Sequence, residues 1–252
     1  MKEISLIGST GFLGKTLQDI FQFTKWFDSK NIQTIGIYDH DTIYCCAPSA
    51  EKWRANLQPE EDLKSVQKLI ESLSLVNKNA NFILFSTIDI YGDNPQNVDE
   101  DFSPTQLPSK YGLHRYFLEQ FVAENFENHF IVRLPGLFGK HMKKNVIFDI
   151  LNNNTSNNPV RLGDSFQWFP IKRIKEILYF VQSNSIRLLN VATEPVSNRK
   201  LLQCFDSRDV IDNDLKVVDY NVKSLYFQNG YFLNESQVLQ DLKKFVDEYR
   251  NL

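Results

Sequence analysis

Tyr111 and Arg115 stand four residues apart in the stretch Tyr111-Gly-Leu-His-Arg115, which reads as helix, so the two side chains share a face. A cation beside a phenol favours the phenolate and lowers the tyrosine pKa. A tyrosine held that way can take a proton from a carbinol or return one to a carbonyl. Thr87, just after the apolar run Phe82–Ser86, adds a hydroxyl able to orient the substrate oxygen. The missing partner is a hydride carrier, and the N-terminus has a place for one. Gly8, Gly11 and Gly14 recur every third residue in Gly8-Ser-Thr-Gly-Phe-Leu-Gly14, behind the apolar run Ile4–Ile7 and ahead of Leu17, Ile20 and Phe21 at helical spacing. Strand, glycine turn and helix in that order cradle a pyrophosphate, with the N–H groups around Thr10, Phe12 and Leu13 turned to the anion. A nicotinamide carried there would take or give the hydride while Tyr111 moves the proton.

These residues need elements that bring them together. Ile32–Tyr38 reads as a second strand, and Asp39 follows it at once. An acid at that point accepts hydrogen bonds from an adenosine ribose and repels the phosphate that distinguishes NADP from NAD, so NAD is favoured. The next strand, Thr42–Cys46, arrives after only two further residues, a compressed connection. Glu60–Leu75 is an amphipathic helix, with Pro59 before its acidic first turn and Leu63, Val66, Leu69, Ile70 and Leu73 on one face. Phe82–Ser86 is a buried strand. A polar, proline-bearing loop spans Asp93–Pro108, and Ser109 caps a helix running to about Asn125. Phe130–Leu134 is the next strand.

This alternation predicts an α/β fold, a doubly wound parallel sheet with ligands beyond the carboxyl ends of its strands. From about residue 140 the pattern loosens. A helix over Val146–Leu151, an asparagine-rich loop over 152–158, a helix over Arg173–Gln182, a strand over Arg187–Val191 and an amphipathic helix over Ser236–Tyr249 follow. The division predicted is a nucleotide-binding core over 1–140 and a smaller C-terminal substrate lobe over 141–252, with the helix and strand near 171–191 returning to the core sheet.

Composition narrows the partners. With 28 basic and 31 acidic side chains the net charge is −3, which gives no electrostatic footprint for nucleic acid. No run of apolar residues is long enough to span a membrane, and the polar Gly8–Gly11 turn interrupts any leader-like segment. The three cysteines, two of them adjacent at Cys45 and Cys46, form neither a disulfide framework nor a metal-ligand spacing. They read as buried, reduced thiols of a cytoplasmic protein.

Five segments together resemble the extended short-chain dehydrogenase/reductases that act on nucleotide sugars. They are Gly8–Gly14, Ser86-Thr-Ile-Asp-Ile-Tyr-Gly92, Val98-Asp-Glu100, Tyr111–Arg115 and Arg133-Leu-Pro-Gly-Leu-Phe-Gly139, in the family's order. The resemblance covers residues 1–140 and continues more weakly through Asn145, Phe166–Phe169 and Leu189–Val191. It implies a Rossmann-type fold, bound NAD or NADP, and a nucleotide-sugar substrate. It implies that Tyr111 is the catalytic tyrosine, that Thr87 stands for the active-site serine or threonine, and that Cys46 and Ala47 lie along the cofactor. Asn145 resembles a nucleotide-diphosphate contact, and Arg133 joins the substrate side. Asp89 occupies the position that carries a catalytic acid in members that eliminate water. Relatives often form homodimers through the helices near 60–75 and 109–125. The chain departs from the family at Arg115, where the pattern Tyr-x-x-x-Lys has lysine. Arginine keeps the charge to bind ribose and polarise Tyr111 but cannot give up a proton. Epimerase, keto-sugar reductase and dehydratase all follow from this reading. A non-catalytic nucleotide-binding member, and a relative acting on other carbonyl compounds, are its alternatives.

Overall fold

The computed structural model describes residues 2–104, 109–155, 160–205 and 218–251. The chain forms two compact units, the first of Met1–Gly92, Pro104–Arg133 and Lys175–Leu189, the second of Asp93–Ser103, Leu134–Ile174 and Asn190–Leu252.

The first unit is built on a six-stranded sheet. Its strands are β1 (Glu3–Ile7), β2 (Lys25–Phe27), β3 (His40–Cys45), β4 (Asn81–Thr87), β5 (His129–Leu134) and β6 (Leu188–Asn190), in the order β6-β5-β4-β3-β1-β2. β1 pairs in parallel with both β2 and β3, and β3 with β4. This is the doubly wound α/β sheet that the alternation predicts. Its strand order reverses between β1 and β3, the point beyond which such sheets bind ligands. Helix α1 (Phe12–Ile20) follows β1. The short α2 (Lys52–Leu57) and the longer α3 (Pro59–Leu73) follow β3, and α4 (Lys110–Asn125) precedes β5. Helix α5 (Val146–Leu151) belongs to the second unit, and α6 (Ile174–Ser183) leads into β6.

Burial explains these elements. Val66, Leu69 and Leu73 of α3 and Leu118 and Val122 of α4 close over Ile43, Phe82 and Leu84 of the sheet. Each such side chain contributes about 1.5–3 kcal/mol by leaving water. Phe82 and Phe126 pack with centroids 4.4 Å apart and planes tilted by 34°, an aromatic contact that adds roughly 0.5–1.5 kcal/mol beyond area.

One expectation is overturned. Ile32–Ile37 is a 3-10 helix, and the second strand is the earlier Lys25–Phe27. Ile32 and Ile35, three residues apart, are buried while Ile37 is exposed. That is the three-residue period of a 3-10 turn, which a short apolar run does not distinguish from a strand. Asp39 therefore ends no strand. It precedes β3, and its carbonyl accepts from the N–H of Glu3 at 2.8 Å, at the amino edge of the sheet. The basis for reading Asp39 as the ribose acid is removed.

The second unit is stitched from short pairings: Gln96–Val98 with Asn221–Val222, Gly136–Phe138 with Trp168–Pro170, and Ser165–Phe166 with Val196–Ser197. Its helices include α5, α7 (Asn198–Leu202) and α8 (Glu235–Arg250). Helix α8 starts on a capping box between Asn234 and Gln237 and buries Val238, Leu242 and Val246. Glu100 organises the unit by accepting from Asn190 N–H and the Ser224 hydroxyl, both at 2.7 Å, and from Leu225 N–H at 2.9 Å. Residues 105–108 of the loop expected over 93–108, and 156–158 of the asparagine-rich loop, lie outside the described residues. Among the described residues no helix is long and apolar enough to cross a membrane.

Candidate active site

The carboxyl ends of β1, β3 and β4 carry the candidate residues. After β1 the chain turns at Gly8 with φ of +83°, and a Cβ there would meet the Cys46 carbonyl carbon at 2.9 Å. At Gly14 a Cβ would come within 2.2 Å of the Gly8 carbonyl oxygen. Glycine is thus required for the turn and for the close seating of α1. Gly11 is the N-cap of α1, and no side chain caps that terminus. The first-turn N–H groups, Phe12 and Leu13 among them, are thereby offered to an anion. The structure brings Gly8, Gly11, Gly14, Cys46 and Ala47 together, and this cradle fits a dinucleotide pyrophosphate.

Cys45 is buried as expected, whereas Cys46 and Cys204 are partly exposed; desolvation pushes the Cys45 thiol up to about 12 and Cys46 well above its ordinary value, which favours the thiol form. They line the fold rather than act as nucleophiles.

At the end of β4, Thr87 caps the single 3-10 turn Ile88–Tyr91. Its Oγ1 accepts from Asp89 N–H at 3.1 Å and donates to Asp89 Oδ2 at 3.2 Å. The start of α4 lies directly against this turn, since a Cβ on Gly112 would sit 2.5 Å from the Asp89 carbonyl oxygen. Ser109 caps α4 by accepting from Gly112 N–H at 3.1 Å. This capping places Tyr111, 5% exposed, on the same strand edge as Thr87 and Asp89.

Arg115 lies over the Tyr111 ring, 4.3 Å from its centroid. Its donors go elsewhere. Nη1 and Nη2 hold Asp62 of α3 at 2.8 and 2.9 Å, and Nη2 also reaches the Ser49 carbonyl at 2.6 Å. His114 Nδ1 meets the same carboxylate at 2.7 Å. Burial pushes the Asp62 carboxyl up, but hydrogen bonds and charge from Arg115 and His114 outweigh it and hold the group below its ordinary value. Charge spacing alone predicts a lowered Tyr111 pKa. The reverse holds: burial raises it, with Asp89 and Asp62 adding to the rise, and the positive charges of Arg115 and Lys52 oppose it without cancelling it. The phenol keeps its proton at neutral pH.

A family model described as NAD dependent epimerase/dehydratase family matches residues 15–171, more than half of the chain. The chain belongs to that family.

Solved structures of the same fold span nearly its whole length. A dTDP-4-dehydrorhamnose reductase from Bacillus anthracis, in complex with NADP, is 21% identical over 98% of this chain and 99% of its own, with a TM-score of 0.75. A UDP-N-acetylglucosamine 4-epimerase from Methanobrevibacter ruminantium, in complex with UDP-N-acetylmuramic acid, is 16% identical over 100% and 99%, with a TM-score of 0.73. A UDP-glucose 4-epimerase from Thermotoga maritima, with UDP-glucose, is 15% identical over 98% of each chain, with a TM-score of 0.72. Comparison with curated proteins by sequence gives no match.

In this epimerase/dehydratase-family chain two further candidates stand apart from Tyr111 in their bonding. Arg133, 4% exposed, gives Nε and Nη2 to Glu119 of α4 at 2.6–3.1 Å and Nη1 to the Tyr91 hydroxyl at 2.6 Å. Ser86 donates to the same Glu119. Asn145 lies in the second unit as the N-cap of α5, accepting from Phe148 N–H at 2.9 Å and donating to the Leu137 carbonyl at 2.7 Å.

Sequence reasoning missed two residues of the family member's first unit. Asp28 follows β2 directly, beside the cradle, where the Phe27 carbonyl accepts from Gly8 N–H at 2.8 Å. Its Oδ1 accepts from Lys30 N–H at 2.7 Å. The available signal was its place twenty residues after Gly8, the usual interval to a ribose acid. Lys52 of α2 reaches Asp89 Oδ1 at 2.8 Å, and no local pattern in the sequence marks it.

Proposed function

We propose that this chain is an NAD-dependent enzyme acting on a nucleotide-linked sugar, and that it works as a keto-sugar reductase. The observation that carries the reading is the buried Tyr111 in the first turn of α4, which packs on the turn that follows Thr87. A phenol that keeps its proton is equipped to give it to a carbonyl oxygen as that carbon is reduced.

Gly8, Gly11 and Gly14 with the start of α1 would hold the pyrophosphate, flanked by the Cys46–Ala47 backbone. Asp28 would accept from the adenosine ribose hydroxyls and repel a 2′-phosphate, which favours NAD. When bound, the nicotinamide supplies the hydride. Tyr111 Oη gives the proton, and the Thr87 hydroxyl orients the sugar oxygen. Asp89 is held between Lys52 and Thr87, an arrangement suited to fixing a hydroxyl rather than to stripping a proton from carbon, so reduction fits better than dehydration. Asn145 is the second unit's candidate for the nucleotide diphosphate. Arg133 is assigned to fastening β5 to α4. The reductase and epimerases named above, bound to NADP or to UDP-sugars, support the substrate class. The reading includes a homodimer through α3 and α4, whose interface would cover the exposed Phe117 and which sedimentation equilibrium tests.

The test is to mix purified protein and NADH with a panel of UDP-, dTDP- and GDP-linked 4-keto sugars and follow NADH absorbance. Turnover with at least one of them, lowered by about 100-fold or more in Tyr111→Phe, is the expected result. NADH binding with no oxidation by any member of the panel would overturn the reading.

A further inference from the structure

The motif cation is committed. Arg115 makes a two-pronged ion pair with Asp62 and a third bond to the Ser49 carbonyl. Asp62 opposes part of the Arg115 charge at Tyr111, although Arg115 remains the largest charge that favours the phenolate there. The guanidinium is thus tied to Asp62 while it acts on Tyr111, and α2 brings a second cation to the same centre.

Helix α2 carries Lys52 and Asn56 four residues apart, on one face. Asn56 Oδ1 accepts the Tyr111 backbone N–H at 3.0 Å. Lys52 Nζ donates to Asp89 Oδ1 at 2.8 Å, while Asp89 Oδ2 accepts the Thr87 hydroxyl at 3.2 Å. One short helix thus holds the tyrosine by its backbone and the threonine through a carboxylate. The Lys52 side chain is one-third exposed and that of Asp89 one-fifth, so their attraction acts at an intermediate dielectric rather than in open water.

We propose that Lys52 is a second positioning cation of this centre: by pairing with Asp89 it keeps the Thr87 hydroxyl and the Tyr111 phenol serviceable for proton transfer, beside an Arg115 that is tied to Asp62. This rests on the reductase reading for its catalytic consequence, but not for its electrostatic one. The charged groups facing Tyr111 are Arg115 of its own helix, Asp62 of α3, Lys52 of α2 and Asp89 after β4. Removing the Lys52 charge takes that compensation away from Asp89. Without the Lys52 charge beside it, Asp89 grips the Thr87 proton more tightly and makes Tyr111 harder to ionise, so both groups give up their protons less readily.

The test labels the protein with 3-fluorotyrosine, which brings phenol titrations into an accessible range, and assigns the Tyr111 fluorine signal by its loss in Tyr111→Phe. In the cofactor-free protein Lys52→Met moves the Tyr111 midpoint up by about half a unit or more, Asp89→Asn moves it down, and Lys52→Arg restores it. Lys64→Met, on the exposed side of α3, leaves it unmoved. With NADH and a keto sugar that turns over, Lys52→Met lowers kcat about tenfold or more with little change in the NADH KM, and Lys52→Arg retains most of the activity. A midpoint that stays fixed in Lys52→Met and in the milder Lys52→Gln overturns the proposal. Absence of turnover in the wild type overturns the reductase reading alone, because the fluorine titration still decides the role of Lys52.

Discussion

Gly14 sits so close to Gly8 that a side-chain carbon at position 14 would fall 2.2 Å from the Gly8 carbonyl oxygen. Backbone cannot yield as a flexible side chain can, so α1 must shift if anything larger than hydrogen is placed there. Gly14→Ala is expected to cost about 1–3 kcal/mol and to weaken NADH binding by displacing the N–H groups at the helix start. Urea unfolding and a fluorescence titration with NADH check the two effects.

Asp28, not Asp39, is expected to set the choice between NADH and NADPH. Asp28→Ser should narrow the preference for NADH by about tenfold or more, the change expected when a carboxylate facing the ribose is lost. Asp39→Ser, at the opposite sheet edge, should leave the ratio unchanged. Dissociation constants for both dinucleotides measure this directly.

The Arg115–Asp62 pair is buried on both sides, with side chains 6% and 9% exposed. Asp62→Asn leaves an uncompensated guanidinium and is expected to cost about 3–5 kcal/mol. The pair also has a pH signature. The folded Asp62 pKa lies below its ordinary 3.8, so the stability it contributes is complete above that value and is lost as pH falls through the folded pKa. Acid unfolding curves should be shallower in Asp62→Asn, relative to its own neutral-pH stability, than in the wild type.

Arg133→Met should behave as a stability variant. It strands Glu119 in the core with Ser86 as its remaining polar neighbour on β4, at a cost of about 3–5 kcal/mol. Measurement of its urea midpoint, and of NADH affinity in the fraction that remains folded, separates this from a substrate role. A near-normal midpoint would return Arg133 to the substrate side.

Cys45 should resist a thiol reagent at mildly alkaline pH in the native protein and react on unfolding, since burial holds it in the thiol form, while the partly exposed Cys46 should react more slowly than a free thiol. Mass spectrometry after brief labelling reads each site.

Local patterns in the sequence determined much of this protein. The glycine turn between a buried strand and α1 was legible because Gly8, Gly11 and Gly14 fall within one short stretch. Helices α3 and α8 were legible because their apolar residues recur at the period that burial of one helix face demands, and α4 from its Ser109 cap, since its buried face also carries His114, Arg115 and Glu119. The spacing of Tyr111 and Arg115, and the place of Thr87 at a strand end, likewise followed from local position. Tertiary structure decided what those residues touch. Lys25–Phe27 is too short to announce itself as a strand; its pairing with β1 makes it one and puts Asp28 beside the cradle, while Ile32–Ile37 is wound into a 3-10 turn by what it packs on. Arg115 is captured by Asp62, 53 residues earlier in the chain, and Lys52 reaches Asp89 across 37 residues. Charge acts through space and burial shifts a pKa by excluding water, and neither is a property of sequence neighbours. The sequence could therefore name Tyr111, but the folded chain decided that its pKa moves up rather than down.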